Sequence, residues 1–312
     1  MISRRVLRTK VVKSVYAYLQ SGSDDIAAAE RTLVSSINKA YELYYLMLTL
    51  PQAIAEYAAE RIEIGRNKML PTYEDLHPNT KFAENAAIAK LAQDKGISDF
   101  CQQHGLSWAN DGDVIKNLYL DLIEQPFYQQ YMQSAKHSFR EDVQLAEQLM
   151  LHLIECDDLI EDTLEEQSIM WADDLDYVIT MVARTIAGIG ESKDFVKLLP
   201  KFKSEDDLDF ACKLFRQSII EYEASVKIID EYIQNWDLER IALMDNVILC
   251  VAIVEAKSFA SIPVKVTLNE YIDIAKYYST PSSSLFINGV LDKITATMLA
   301  EGKIVKSGKG LL

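Results

Sequence analysis

The sequence predicts an all-α fold, and three observations support this prediction. Glycine and proline are scarce, at 11 and 7 of 312 residues, although β-rich domains need these residues in their turns. Hydrophobic residues make up 49% of the chain, which is enough for a sizeable core. Over long stretches they recur at spacings of three and four, the period of a helix that buries one side. The length permits one large helical domain or two small ones.

The first predicted helix covers residues 4–20, where Leu7, Val11, Val15 and Tyr18 form one apolar stripe. Further helices are predicted at about residues 25–64 with a break near Pro51, and at 82–95, 114–122, 126–137, 140–167 and 173–189. Loops are predicted at residues 71–79, which contain prolines, and at residues 105–112.

The C-terminal third has the clearest helical patterns. Residues 205–233 carry a single apolar stripe, which predicts one packed helix. Residues 241–256 are apolar on most sides, so we expect a central buried helix there. Asn288 and Gly289 lie inside the apolar pattern of residues 286–294. Because glycine costs about 1 kcal/mol inside a helix, its presence predicts close backbone packing at that point.

Two helix starts are predicted from capping residues. Thr267 and Glu270 have the spacing of a capping box, which would begin a helix that ends at Tyr277. Thr280 followed by Pro281 is typical of an N-cap with proline at the first helical position, and would begin the last helix.

The charge is distributed unevenly along the chain. The net charge is −15, and a field of that sign repels a polyanion. Residues 1–20, however, hold five basic residues and no acid, whereas the remainder holds 27 basic and 47 acidic residues. Because screening limits the repulsion to about 8 Å at physiological salt, a basic segment on an acidic body can still bind nucleic acid.

One side of the first helix combines cations with an aromatic residue. Arg5, Thr9, Lys13 and Tyr16 fall on one strip of residues 4–20. Basic side chains neutralise phosphates and tyrosine stacks on unpaired bases, so the strip indicates RNA binding. The alternative is a solvated surface helix without a ligand.

The residues that usually carry catalysis or bind metals are not found in suitable patterns. The acidic run at residues 155–162 is interpreted as a solvated face. Glu74 and His77 have the spacing of a helical di-metal motif but lie in a predicted loop. Cys101 and His104 supply two ligands, whereas a zinc site needs three or four. We therefore expect no enzyme activity, no metal and no cofactor.

Cysteine usage and hydropathy indicate the compartment. The four cysteines are widely separated, which predicts reduced core thiols in a cytoplasmic protein. The chain has neither an apolar leader at its start nor an apolar run long enough to span a bilayer, so we expect no membrane association.

Short motifs occur in fixed order between Trp236 and Ile294. In order they are Trp236-Asp237-Leu238-Glu239-Arg240, Asp245, Val266-Thr267-Leu268-Asn269-Glu270, Ile274-Ala275-Lys276 and Phe286-Ile287-Asn288-Gly289-Val290-Leu291-Asp292. Their order, spacing and residue types resemble the NusB family of bacterial transcription antitermination factors. The start of the chain, with its arginines followed by Val15-Tyr16, is similar to the first helix of that family.

The resemblance implies an all-α fold of two packed helical subdomains. This chain is more than twice as long as typical members, and the excess falls between the two similar regions. We therefore expect residues 1–20 to form the basic first helix, 21–204 an insertion or enlarged N-terminal half, 205–300 the C-terminal core, and 301–312 a flexible tail. Few residues follow Ile294, so we expect no RNA cytosine methyltransferase domain like that of fused members.

The resemblance also implies a surface for boxA, a short single-stranded RNA element, bound together with NusE, a small-subunit ribosomal protein. The residues expected to bind RNA are Arg4, Arg5, Arg8, Lys13, Tyr16, Lys276, Phe286 and Asn288. Those expected to contact the partner are Tyr16, Glu239, Arg240 and Ser282. For Asn269 and Asn288, a second interpretation is a buried amide that joins helices.

The expected function is that of a non-enzymatic RNA-binding factor. It would support transcription of ribosomal RNA operons with NusE and the RNA polymerase elongation complex. The alternative is a helical interaction scaffold or ribosome-assembly factor without sequence-specific RNA binding, which the acidic body favours. Whether the chain forms a homodimer, and what residues 21–204 do, stays open. The RNA surface requires that the two ends of the chain pack together.

Overall fold

A computed structural model describes residues 1–192, 195–233 and 241–311. These residues form fifteen α-helices, and their one β pairing is a parallel bridge between Ile2 and Phe202. The predicted all-α fold is therefore confirmed. None of the described helices is both long enough and apolar enough to cross a membrane.

The chain divides into two compact units. The terminal unit comprises Ile2–Ile37 and Phe202–Leu312, and the middle unit comprises Met1 and Asn38–Lys201. The helices are α1 (Arg4–Ser21), α2 (Ile26–Arg66), α3 (Tyr73–Leu76), α4 (Ala86–Gln93), α5 (Lys95–His104), α6 (Gly112–Glu124), α7 (Pro126–Gln133), α8 (Phe139–His152), α9 (Glu161–Gln167), α10 (Leu175–Ala187), α11 (Asp206–Ile220), α12 (Tyr222–Tyr232), α13 (Leu243–Ser258), α14 (Val264–Tyr278) and α15 (Ser283–Ala300).

Helix α1 joins the start of the chain to its C-terminal third. It begins after Ser3, whose hydroxyl caps the helix, and ends at Gly22, which adopts the left-handed conformation with φ of 63°. Its stripe of Leu7, Val11 and Val15 is 0% exposed and packs against α11, α13 and α14. Each such side chain contributes about 1.5–3 kcal/mol on burial. The predicted packing of the two chain ends is therefore confirmed.

Helix α13 is the centre of the terminal unit. Every residue from Val247 to Val254 is at most 1% exposed. Helices α1, α11, α12, α14 and α15 all pack against it. The predicted central buried helix is confirmed, and it carries one fully buried acid, Glu255.

The middle unit has one continuous apolar core. Helix α8 packs against α4, α7 and α10. Two pairs of buried polar side chains in this core are hydrogen-bonded. The Tyr44 hydroxyl lies 2.7 Å from the Thr185 hydroxyl, and Asp142 accepts from the Tyr131 hydroxyl at 2.6 Å.

Helix α2 runs for 41 residues with Pro51 inside it, so the predicted break near Pro51 is wrong. Proline removes one helical hydrogen bond and costs about 3 kcal/mol in a helix interior. On either side of it, Leu50 and Ile54 are at most 1% exposed. The burial of these neighbours offsets the cost and keeps the helix continuous.

Two predicted helices are each divided in the structure. The apolar stripe of residues 205–233 continues across Glu221, where α11 ends and α12 begins. Residues 140–167 form α8 and α9 with turns between them. A further helix, α5, was not predicted. Asp94 ends α4 and starts α5, because its carboxylate accepts from the Ile97 amide at 3.1 Å.

Both predicted capping starts are wrong. Helix α14 begins after Pro263, and Thr267 lies inside it, fully buried, where its hydroxyl donates to Glu255 at 2.8 Å. Its side chain therefore has a tertiary partner instead of a capping role. Helix α15 begins at Ser283, after Pro281, and the Ser283 hydroxyl donates to Asp245 of α13.

The cysteines are free thiols, as predicted, and three of the four are buried. Burial raises the pKa of Cys101 and Cys212 to about 11 and that of Cys250 to about 12. A disulfide reagent at pH 8 is therefore expected to modify half-buried Cys156 first and the other three only after unfolding. Thiol titration with peptide mass spectrometry checks this. Rapid modification of two or more cysteines in the folded chain would contradict it.

Candidate functional site

Arg4 is anchored to the start of α11. Its Nε donates to Asp207 Oδ1 at 2.9 Å, and its guanidinium lies 4.9 Å from the centre of the Phe210 ring. Asp207 is buried and also accepts from the backbone amides of Lys203 and Ser204. The side chain of Arg4 stays 37% exposed, so part of it remains accessible to a ligand.

Arg8 is a core residue, so the surface position expected for it is wrong. Its side chain is 4% exposed, and it forms two hydrogen bonds to Glu255, at 2.7 and 3.0 Å. Glu255 also accepts from the hydroxyls of Thr267 and Tyr271. Burial opposes the charge on Arg8, but attraction and hydrogen bonding to Glu255 outweigh it and raise the pKa of the guanidinium. Arg8 therefore joins α1 to α13 instead of facing solvent.

Arg5 and Lys276 meet at one carboxylate. Their side chains are 55% and 56% exposed, and both bind Asp273, Lys276 at 2.8 Å. Hydrogen bonding to Lys276 outweighs burial and, with the charge of Arg5, holds the pKa of Asp273 below its usual value. Glu270 Oε2 lies 4.0 Å from Arg5 Nε. The structure thus brings together two predicted RNA-binding residues from α1 and α14.

Tyrosines flank these cations. Lys13 Nζ lies 5.8 Å from the centre of the Tyr278 ring, and Tyr277 is 81% exposed. Tyr16 is half-buried, and its hydroxyl accepts from Gln20 at 3.4 Å. We call the strip formed by the following six residues the α1–α14 surface: Arg5, Lys13, Asp273, Lys276, Tyr277 and Tyr278.

Three members of the α1–α14 surface were missed in the sequence, namely Asp273, Tyr277 and Tyr278. A signal was present, because Asp273, Lys276 and Tyr277 are spaced by three and four in a predicted helix. Such residues share one side of a helix, so the carboxylate and the exposed ring could have been grouped with Lys276.

Phe286 lies in a groove and is not part of the α1–α14 surface. It lines a groove of about 220 Å³ between α12 and α15, together with Tyr232, Ile233, Gly289 and Lys293. The ring is half-buried, so one part of it is available to a ligand that enters this groove.

The two asparagines and Ser282 are at the surface. Asn269 and Asn288 are exposed, so the interpretation of them as buried amides that join helices is wrong. Ser282 is exposed just before α15. Glu239 and Arg240, with the motif that contains them, lie outside the described residues.

The connection between α14 and α15 is fixed by a buried acid. Asp245, at the start of α13, is 6% exposed and accepts from the Ser283 hydroxyl at 2.8 Å. It also accepts from the Ser279 hydroxyl at the end of α14. These bonds set the position of Ser282 relative to the central helix.

Gly289 has open space around it, so the predicted close backbone packing is wrong. A Cβ atom built there meets no heavy atom within 4 Å, and the position lies inside α15. Gly289→Ala is expected to raise the free energy of unfolding by about 0.5–1 kcal/mol, because alanine favours helix and restricts the unfolded chain. Urea denaturation measures this difference. A lower free energy of unfolding than that of the wild type would contradict the open space observed around Gly289.

The sequence profile of the NusB family matches residues 180–296. Three curated relatives are each named transcription antitermination protein NusB. The protein from Salinibacter ruber is 36% identical over 126 residues, which are 39% of this chain and 79% of the relative. Those from Chloroherpeton thalassium and Thermodesulfovibrio yellowstonii are both 38% identical, over 104 and 101 residues.

The similarity covers different shares of these proteins. The matches span 33% and 32% of this chain, and 49% and 67% of the Chloroherpeton and Thermodesulfovibrio proteins. No solved structure matches the chain. The profile match runs from α10 through most of α15, so it contains every predicted site residue of the C-terminal third.

Proposed function

Because the chain belongs to the NusB family, we propose that it binds boxA-type single-stranded RNA together with NusE and supports transcription of ribosomal RNA operons. NusB proteins are non-enzymatic antitermination factors, so the chain is not an enzyme. The observation that carries the RNA-binding proposal is the α1–α14 surface, where exposed Arg5 and Lys276 meet at one carboxylate and half-buried Lys13 lies beside the Tyr278 ring.

Four of the five cations of α1 divide into two classes, and the fifth, Lys10, is buried. Arg8 is compensated by Glu255 in the core, and Arg4 is held by Asp207. Arg5, Lys13 and Lys276 remain on the α1–α14 surface with Asp273 among them. Three cations against Asp273 and the neighbouring Glu270 leave a local excess of one positive charge, on a chain of net charge −15. Because the acidic body acts only within about 8 Å at physiological salt, the strip can attract phosphates.

The tyrosines supply the second element of single-strand recognition. Exposed aromatic rings stack on unpaired bases, with about 1–3 kcal/mol per base. Tyr277 is 81% exposed, and Tyr278 lies beside Lys13. We assign base stacking to Tyr277 and backbone contacts to the neighbouring cations. Phe286 and Asn288 on α15 would extend the RNA path.

The partner surface is proposed at Tyr16 and Ser282, with Glu239 and Arg240. In this assignment NusE and RNA contact neighbouring parts of the terminal unit. The complex would then join the RNA polymerase elongation complex.

The test is binding of a fluorescent boxA-type RNA to the full chain, with and without NusE. A scrambled RNA of equal length and composition is the control. We expect tighter binding to the boxA-type RNA and a further gain when NusE is present. No RNA binding in either case would reject the proposal and favour the interaction scaffold.

Removing the shared carboxylate is expected to strengthen RNA binding. In Asp273→Asn, Arg5 and Lys276 lose their common acidic partner and become more available to phosphates, although Arg5 keeps Glu270 at 4.0 Å. We expect affinity to rise by about three- to tenfold and the salt dependence to steepen. Fluorescence anisotropy at fixed salt measures the change. An unchanged or weaker affinity would show that these cations do not contact the RNA.

A further inference from the structure

We propose that the middle unit holds a binding site for one divalent metal ion such as Zn²⁺, formed by Asp121, His152 and Cys156. Among the described residues, these three side chains place their ligand atoms within 4.8 Å of one another. One carboxylate oxygen, one imidazole nitrogen and one thiolate sulfur are the donor types that zinc takes in proteins.

The three residues come from two segments of the middle unit. Asp121 lies on α6, His152 ends α8, and Cys156 follows in the turn after α8. The histidine and cysteine are four residues apart, and the Cys156 Sγ contacts the His152 carbonyl at 3.4 Å. In the metal-free chain this contact, donated by the thiol, keeps the sulfur beside the imidazole, and metal binding would release the thiol proton to solvent. The site therefore links the end of α8 to α6.

His152 and Asp121 already point at each other. His152 Nε2 lies 2.6 Å from Asp121 Oδ2, and its other ring nitrogen, Nδ1, lies 3.7 Å from Glu155 Oε2. In the metal-free chain, Nε2 faces Asp121. With a divalent ion bound at Nε2, the single proton of the neutral imidazole would lie on Nδ1, which faces Glu155. A carboxylate beside the outer nitrogen is the usual support of a metal-bound histidine.

The neighbouring side chains hold this arrangement. Gln125 Nε2 donates to Asp121 Oδ1 at 3.2 Å, which leaves Oδ2 for the ion. The Phe127 ring packs edge-on against the imidazole, with centroids 5.8 Å apart. The His152 side chain is 15% exposed and that of Asp121 is 32% exposed, so the site is sheltered but open to entry from solvent.

The distances need only a small adjustment. Zinc bonds of about 2.0 Å to nitrogen or oxygen and about 2.3 Å to sulfur place tetrahedral donors roughly 3.3–3.5 Å apart. On metal binding, His152 Nε2 and Asp121 Oδ2, which are 2.6 Å apart, would move slightly apart. The Cys156 sulfur, which lies within 4.8 Å of both ligand atoms, would move closer by rotation of its side chain. Three protein ligands leave the fourth position to water.

The charges also match a divalent ion. A thiolate and a carboxylate together carry two negative charges, which neutralise the ion in a partly buried site. Because the ligands bridge α6 and the end of α8, the bound ion should stabilise the middle unit. This role is independent of RNA binding by the terminal unit.

The test uses the full chain, purified without metal, and Co²⁺ and Zn²⁺ as probes. Co²⁺ titration should produce a thiolate-to-cobalt charge-transfer band and the visible bands of tetrahedral cobalt, saturating at one ion per chain. Zn²⁺ should displace the cobalt, raise the melting temperature, and protect Cys156 from the disulfide reagent. Cys156→Ser and Asp121→Asn should lose the charge-transfer band or weaken Zn²⁺ binding by at least about tenfold.

His104→Asn is the matched control, because His104 also pairs with a carboxylate, with Nδ1 3.3 Å from Glu42 Oε1. It should bind both ions like the wild type. Circular dichroism confirms that each variant is folded, and thiol protection in the wild type gives a readout that needs no variant. Absence of the cobalt band together with unprotected Cys156 would overturn the proposal. Equal Zn²⁺ binding by wild type, Cys156→Ser and Asp121→Asn would do the same and would indicate adventitious surface binding.

Discussion

Glu255→Gln is expected to lower the free energy of unfolding of the terminal unit by about 3–5 kcal/mol. Glu255 is fully buried and accepts two hydrogen bonds from Arg8 and one each from Thr267 and Tyr271. Glutamine keeps the volume but removes the charge, so the guanidinium of Arg8 loses its main counter-ion. Glu270 Oε2 lies 3.7 Å from Arg8 Nη1, but a buried charge that loses its hydrogen-bonded counter-ion still costs much more than the loss of one hydrogen bond.

The matched control is Glu30→Gln. Glu30 also accepts two hydrogen bonds from an arginine, but that arginine, Arg216, is 55% exposed. Solvent screens such a pair, so its loss should cost less than about 1 kcal/mol. Urea denaturation gives the stabilities, and hydrogen exchange of α1 and α13 peptides localises the effect. Equal destabilisation by the two substitutions would contradict the structural role assigned to Arg8.

The second large effect concerns RNA. In the double variant Arg5→Glu with Lys276→Glu, two cations of the α1–α14 surface become acids beside Asp273. We expect binding of boxA-type RNA to weaken by about 10- to 100-fold at physiological salt, because phosphate contacts are lost and repulsion is added. Fluorescence anisotropy measures the affinity, and circular dichroism confirms that α1 stays folded.

A matched control exists in the middle unit. Arg66 and Lys68 are 43% and 53% exposed, and each pairs with an acid, Glu63 or Asp75. The double variant Arg66→Glu with Lys68→Glu has the same change in net charge and the same residue types. Its RNA affinity should stay close to that of the wild type. If both double variants weakened binding equally, net charge and not the α1–α14 surface would control affinity.

The helical fold and its centre could be predicted because they follow from composition and period. The stripe of α1 and the apolar surface of α13 each require burial, and the resemblance of both chain ends to one family predicted their packing. The points where helices end could not be predicted in the same way. At Glu221 one helix ends and another begins, although the apolar stripe continues across it. At Pro51 the helix continues, because the burial of Leu50 and Ile54 offsets the cost of proline.

The roles of the three arginines could not be separated from α1 alone, because all of them lie on one short basic helix. The distinguishing signal was distant in sequence. Glu255 is a fully buried acid directly after the apolar run Val247–Val254, and a buried charge of this kind is usually paired. Arg8 supplies the paired charge from 247 residues away. The proposed metal ligands posed the same difficulty, since Asp121 precedes His152 by 31 residues and lies on another helix.

The most direct test of RNA binding by the α1–α14 surface is the salt dependence of boxA-type RNA affinity. Each phosphate contact to single-stranded RNA contributes about −0.7 to the slope of log K against log salt. Loss of two contacts in the Arg5→Glu and Lys276→Glu double variant should therefore reduce the slope by about 1.4. The same reduction is expected with and without NusE, and none in the Arg66→Glu and Lys68→Glu control. A slope that the Arg5 and Lys276 substitutions leave unchanged would contradict the account.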